Sequence, residues 1–405
     1  MDSLRHVMDG YTVLDFTQMV AGPTAGRLMA DLGAEVIKIE IPPRGDGGRA
    51  FAQYKDHHSA FFVQHNRGKK SLCVNPKTSD GAEIMRGLLA KADVFLENFT
   101  PGAMARMGLD YDSVRKLNPR IVMCSITSFG QTGPLAHKPG YDTSGACYSG
   151  ILDMQGDPAG SPVMPGGSLG DINAGVSAVA AIGYALLHRE RTGRGQYLDI
   201  ALLDVYFHSH DRSVHIYSAT GGAVVPHRSG RFVEFYCPSG IFKSKDNYVL
   251  VIAVTPGQWA GLCQAMGRPE LADDPNYATG EKREKMGVIP MVEAWLQSLP
   301  SDEAAIRILE EHHVATAPVL TVPQAMQHPH LRQRGTVITV KDPVYGSLEV
   351  PASPLRFSEF GTLDLVAPSM GEHNAEILAD YLGYSPERIR DLETAGVIAS
   401  TRRQE

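Results

Sequence analysis

One aspartate, Asp171, stands where a carboxylate could carry covalent chemistry. It lies in Gly170-Asp171-Ile172-Asn173-Ala174-Gly175, after the loop Pro165-Gly166-Gly167-Ser168 and ahead of an apolar stretch from Ala174 to Leu187. Two readings stand side by side. Asp is a favoured helix N-cap, because its side chain accepts a backbone N–H of the first turn. A full capping box is missing, since Ala174 stands where Glu or Gln belongs. Alternatively, Asp171 is an exposed nucleophile. Glycines on both sides leave room for a ligand, and a helix N-terminus steadies an anion. With an ordinary pKa of ~4 it would be ionised without a base. The two readings are compatible, and the local residues leave both open.

Other candidates follow strand ends. They are Lys69-Lys70, Lys77, Asn98-Phe99-Thr100-Pro101-Gly102, Arg106 and Lys138. Ligands of open α/β sheets bind at the carboxyl ends of strands, and Asn98-Phe99 falls at such an end. Taken singly, each Lys or Arg also reads as solvated surface. The run His208-x-His210-Asp211 with His215 resembles ligand spacing, but no His-Glu-x-x-His motif accompanies it, so no metal is expected. Gly22 and Gly26 do not make a dinucleotide fingerprint, so no nicotinamide or flavin is expected. A Gly-x-Ser-x-Gly elbow and a phosphate-cradling P-loop are both missing, which removes the common serine hydrolase and triphosphatase readings.

These residues need a scaffold. With 405 residues the chain exceeds one compact core, and two domains are the default. Its formal net charge of −7 argues against a nucleic-acid binder. Five scattered cysteines without a Cys-x-x-Cys pair read as reduced thiols. No apolar core of signal-peptide length opens the sequence, and the apolar run 174–187 is short for a membrane span. A soluble, cytoplasmic protein is the expectation, with no nucleic acid and no membrane as partners.

The hydrophobic pattern predicts strands at Tyr11–Phe16, Glu35–Glu40, Ser71–Val74, Asp93–Asn98, Ile121–Ile126 and Gln196–Ala201. Helices fall between them, including Gly81–Lys91, Tyr111–Leu117 and the one after Asp171. Alternating strands and helices imply an α/β fold with a Rossmann-like parallel sheet. A smaller α+β domain follows, with a strand at Tyr248–Val254 and helices at Gln258–Met266 and near 286–298 and 302–312. The expected division is 1–205 with 335–405 as the large domain and 225–330 as the small one. The segments 206–224 and 331–334 would be linkers.

In order along the chain, these segments resemble the class III (CaiB/BaiF-type) CoA-transferases. The likeness is carried by Val13-Leu14-Asp15-Phe16, Ala21-Gly22-Pro23, Leu32 through Glu40, and Glu97-Asn98-Phe99-Thr100-Pro101-Gly102. It continues in Leu117-Asn118-Pro119-Arg120, Gly140-Tyr141-Asp142, Gly170-Asp171, Thr192-Gly193-Arg194-Gly195-Gln196 and Gly371-Glu372-His373. The resemblance implies that Asp171 attacks an acyl-CoA thioester and carries a covalent aspartyl intermediate. Coenzyme A and acyl-CoA are then substrates, with no tightly bound cofactor. It further implies that Lys77, Asn98, Phe99 and Arg106 hold the nucleotide and its phosphates. Val74 would touch the base, and Lys138 lies near a family lysine. Tyr141 and Asp142 would border the acyl group.

Three positions depart from the pattern. His227-Arg228-Ser229-Gly230 replaces the glycine-run lid of some oxalate-using members, which puts oxalate in doubt. Arg228 suggests an anionic group on the acid, such as a dicarboxylate. Ile41 stands where the formyl-CoA:oxalate type has Arg, and Tyr141 where racemase relatives have His. The resemblance implies an interlocked homodimer, or a heteromer with a paralogous subunit. The rival readings are an acyl-CoA racemase or isomerase on the same fold and a non-catalytic subunit. The absent His argues against the first, the intact Gly170-Asp171 pair against the second.

Overall fold

The computed structural model describes residues 6–233 and 236–401. The chain divides into two compact units, one of residues 1–151, 165–211 and 330–405, the other of 152–164 and 212–329.

The first unit is built on six parallel strands: β1 (Thr12–Phe16), β2 (Glu35–Glu40), β3 (Lys69–Cys73), β4 (Val94–Glu97), β5 (Val122–Thr127) and β6 (Gln196–Ala201). Their order across the sheet is β3-β2-β1-β4-β5-β6, that of a doubly wound Rossmann-type domain. Strands β1, β4 and β5 are buried almost end to end, as a sheet covered on both faces requires. One face packs on α1 (Ala21–Asp31) and the long helix α5 (Leu169–Thr192), through Ala25, Leu28, Met29, Ala174, Ala178 and Ile182. The other packs on α2 (Ser79–Leu89), α3 (Tyr111–Leu117) and the helix Asn374–Leu382, through Ile84, Leu88, Val114 and Leu378. Helix α5 closes on Gly193, whose left-handed φ of 74° favours glycine, and the chain turns into β6. At 24 residues it is longer than the apolar run within it, long and apolar enough by length and composition to cross a membrane. Its buried face here lies in the core of the unit.

A charged network is buried where β1 and β2 end. Lys69 Nζ donates to Asp15 Oδ2 (2.6 Å), Asn66 Oδ1 (2.8 Å) and the Pro23 carbonyl (2.9 Å). Lys38 Nζ lies 2.7 Å from Asp46 Oδ2 and donates to the Thr17 carbonyl at 2.9 Å. Arg49 grips both Glu40 oxygens at 2.7 Å. Burial pushes the Asp15, Glu40 and Asp46 carboxyls up, but these cations and hydrogen bonds outweigh it and hold all three below their ordinary range.

The second unit has a three-stranded antiparallel sheet of β7 (Ser239–Lys243), β8 (Tyr248–Ile252) and β9 (Ala315–Pro318), ordered β9-β8-β7. It packs around Trp259, Phe242, Leu262, Val292 and Leu309 with α7 (Pro256–Ala265), α8 (Val288–Ser298) and α9 (Asp302–Glu311). Residues 152–164 group with this unit rather than with the sheet that precedes them. Arg228 Nη1 ties them there by donating to Asp153 Oδ1 (2.5 Å) and to its carbonyl (3.0 Å).

Candidate active site

Strands β1 and β4 are neighbours in mid-sheet, yet the chain leaves them toward opposite faces. Such a switch point opens a crevice at the strand ends. A cavity of about 770 Å³ lies there, lined by Gln18–Ala21 after β1, Asn98–Pro101 after β4, Thr127–Phe129 after β5, and by Lys138–Asp142 and Asp171. The Asn98 amide clamps its floor. It donates to the Gln18 carbonyl and accepts the Gln18 N–H, both at 2.8 Å.

Asp171 is not the cap of α5. Ser168 is the N-cap and makes no side-chain cap bond, so Asp171 is the third helical residue. The first-turn donors find partners elsewhere. Gly170 N–H donates to Tyr206 Oη at 3.0 Å, and Asp171 N–H to Asp142 Oδ1 at 2.7 Å. Tyr206 in turn donates to Asp142 Oδ2 at 2.8 Å. No hydrogen bond or ion pair to the Asp171 carboxylate is found among the described residues. Burial, and then the charge of Asp142, push Asp171 up to about 7. This corrects the expectation of a nucleophile that is ionised at its ordinary pKa. The flanking glycines serve packing rather than substrate. A Cβ on Gly170 would stand 2.2 Å from the Tyr206 ring, and one on Gly175 would stand 2.8 Å from Thr24 of α1.

Residues 8–374 match the model of CoA-transferase family III. The chain belongs to that family. It is 32% identical to succinyl-CoA:glutarate CoA-transferase of Mus musculus, over 98% of this chain and 91% of that protein. It is 36% identical to formyl-CoA:oxalate CoA-transferase of Streptomyces avermitilis, over 98% and 100%. The crystal structure of a CaiB/BaiF family protein from Brucella suis superposes with a TM-score of 0.83 at 33% identity, covering 93% of this chain and all of that one. The chain is therefore an enzyme that transfers CoA, on the α/β fold expected.

Within this family III enzyme, Asn98, Phe99, Lys138, Tyr141, Asp142 and Asp171, each expected near the substrate, share the cavity. Lys138 Nζ sits 2.5 Å from Tyr148 Oη and is exposed, and Tyr141 is 81% exposed. Asp142, the first residue of α4 (Asp142–Tyr148), lines the cavity while largely buried, with both oxygens engaged. Lys77 and Arg106 are exposed and stand outside the lining. Val74 is 0% exposed and belongs to the core beside Leu72 and Ile84, so its side chain offers no surface to a base. The reason is its place just beyond β3, where it bridges Ile398. Arg228 lies on the second unit, paired with Asp153.

Sequence reasoning missed Tyr206. It is an aromatic on α6 (Leu202–His208) with no motif around it. A second cavity in the first unit, about 1020 Å³ and lined by Arg44, Arg49 and His57, is the larger but contains none of the residues singled out. Its Arg49 is held by Glu40 and lies 3.6 Å over the Phe62 ring. His210, read as a metal-like position, faces the Ser149 carbonyl at 3.0 Å. Among the described residues no group of three or more His, Cys, Asp or Glu could hold a metal ion.

Proposed function

We propose that this enzyme moves CoA from an acyl-CoA to a free carboxylic acid through a covalent intermediate on Asp171, and that the acid is a dicarboxylate. The observation that carries the reading is the Asp171 carboxylate, without a hydrogen-bond or ion-pair partner among the described residues and lining the cavity at the β1/β4 switch point. A carboxylate oxygen attacks the thioester carbonyl and expels CoA thiolate, leaving an acyl-aspartyl anhydride. The thiolate then attacks the aspartyl carbonyl. This releases the first acid as its carboxylate and leaves an aspartyl-CoA thioester. The acceptor carboxylate repeats the sequence in reverse and regenerates Asp171. Every attacking group and every leaving group is an anion, and the acid released is matched by the acid taken up, so no proton is consumed and no ATP is needed. The cavity must exclude water while the anhydride exists.

Asn98 and Phe99 at the end of β4 suit the CoA chain, with Lys77 and Arg106 as phosphate partners farther along. Lys138 is the only Lys or Arg lining the cavity among the described residues. It suits the distal carboxylate of an acid such as the glutarate or oxalate in the relatives' names. An interlocked dimer goes with this reading. The exposed apolar residues of α5, Ile172 (37%), Tyr184 (72%) and Leu187 (46%), give it a surface to bury. The test is a matrix of succinyl-, acetyl- and formyl-CoA against mono- and dicarboxylic acids, with light scattering for the assembly. Transfer to dicarboxylates is expected. Exchange of an α-proton of acyl-CoA for deuterium without any acceptor acid, and no transfer, would sink the reading in favour of a racemase.

A further inference from the structure

We infer that Tyr206 is a positioning residue for Asp171: its hydroxyl, set between Gly170 N–H and Asp142, keeps the helix donors away from the Asp171 carboxylate and leaves that carboxylate facing the cavity. The inference rests on Asp171 being the nucleophile.

The first N–H groups of a helix lack partners within it. An acidic side chain in the first turn is the nearest acceptor for them. Asp171 is such a side chain, and left alone it would fold back onto its own helix. That outcome is blocked twice. Tyr206 Oη accepts the Gly170 N–H at 3.0 Å, and Asp142 Oδ1 accepts the Asp171 N–H at 2.7 Å. The 2.8 Å bond from Tyr206 to Asp142 Oδ2 locks the two acceptors together. The fit is close, since only a glycine at 170 admits the ring. Tyr206 is 6% exposed, and burial with its bond to Asp142 pushes its hydroxyl up to about 12. It therefore remains a donor at any working pH. The titratable groups around Asp171 in the cavity are Asp142, Tyr141 and Lys138, with Tyr206 behind them.

The test compares Tyr206→Phe, Asp142→Asn and Asp171→Ala, with kcat, the KM of both substrates and the pH profile of each. Tyr206→Phe frees the Gly170 N–H to bind the Asp171 carboxylate. Its kcat is expected to fall about 10- to 100-fold, with both KM values within about threefold. The acid limb should move to lower pH, because the new bond steadies the anion. Asp142→Asn keeps an oxygen for the Asp171 N–H but removes the like charge, so its acid limb should also move to lower pH. A Tyr206→Phe enzyme with unchanged kcat and acid limb overturns the inference. Should that variant not fold, Asp142→Ala takes its place, since it unties Tyr206 and frees the Asp171 N–H for the same carboxylate, and an unchanged kcat there overturns the inference instead. Asp171→Ala separates the two levels. If it retains turnover, the nucleophile reading itself fails; if it is dead while Tyr206→Phe behaves as wild type, only the positioning role fails.

Discussion

Two groups of carboxylates sit at the strand ends of the first unit, and they are treated in opposite ways. At the ends of β1 and β2, Asp15, Glu40 and Asp46 are buried with Lys69, Arg49 and Lys38 and held below their ordinary range. At the start of α5, Asp171 faces Asp142 without a cation beside it and is pushed up to about 7. The first group is built for the fold. It fixes the backbone from Thr17 to Met19, through Lys38 on the Thr17 carbonyl and Asp46 Oδ1 on the Met19 N–H. The second accepts an electrostatic cost and keeps a carboxylate free, which is where functional sites part from structural ones.

Substitutions on each side should break different properties. Asp171→Ala should reduce transfer at least about a thousand-fold without loss of stability, its melting temperature at or above that of wild type, measured by steady-state assay and calorimetry. Lys69→Met should do the reverse. It strands Asp15 in a fully buried site and should cost about 3–5 kcal/mol of stability in denaturant titration.

Asp171→Asn sharpens the contrast. The folded pKa of about 7 lies above the ordinary 3.8. The folded state therefore binds the proton more tightly, and the charge costs stability increasingly as pH rises through that window. The variant should be more stable than wild type by about 1–3 kcal/mol at pH ~8 and equal to it near pH ~4. In the wild-type enzyme the same group should set an acid limb. As pH falls through about 7 the carboxylate gains its proton, and below that the rate should drop about tenfold per pH unit. The smallest effect belongs to Lys138→Ala. It should raise the KM of a dicarboxylate a few-fold, roughly the worth of one exposed charge pair, and leave a monocarboxylate unmoved.

Much of the scaffold was legible in the residues. Helix Tyr111–Leu117 and strand Gln196–Ala201 lie where the apolar pattern puts them, because burial on a sheet face dictates that pattern. The motif residues that share the cavity were legible through the ordered family likeness. The environment of Asp171 was not. The partners of its first turn, Asp142 and Tyr206, are 29 and 36 residues away from the groups they bind, and no local pattern announces them. The same distance hid the reason for Gly170 and the raised pKa. Val74 misled for a related reason, since the sequence places it at a strand end without saying which way its side chain turns.

The central claim is the covalent one, and trapping tests it most directly. The enzyme would be incubated with acyl-CoA and hydroxylamine, digested and mapped by mass spectrometry. An aspartyl hydroxamate at Asp171, formed only when acyl-CoA is present, is the predicted result. Unmodified Asp171 in an enzyme that is turning over, with hydroxylamine present, would contradict it.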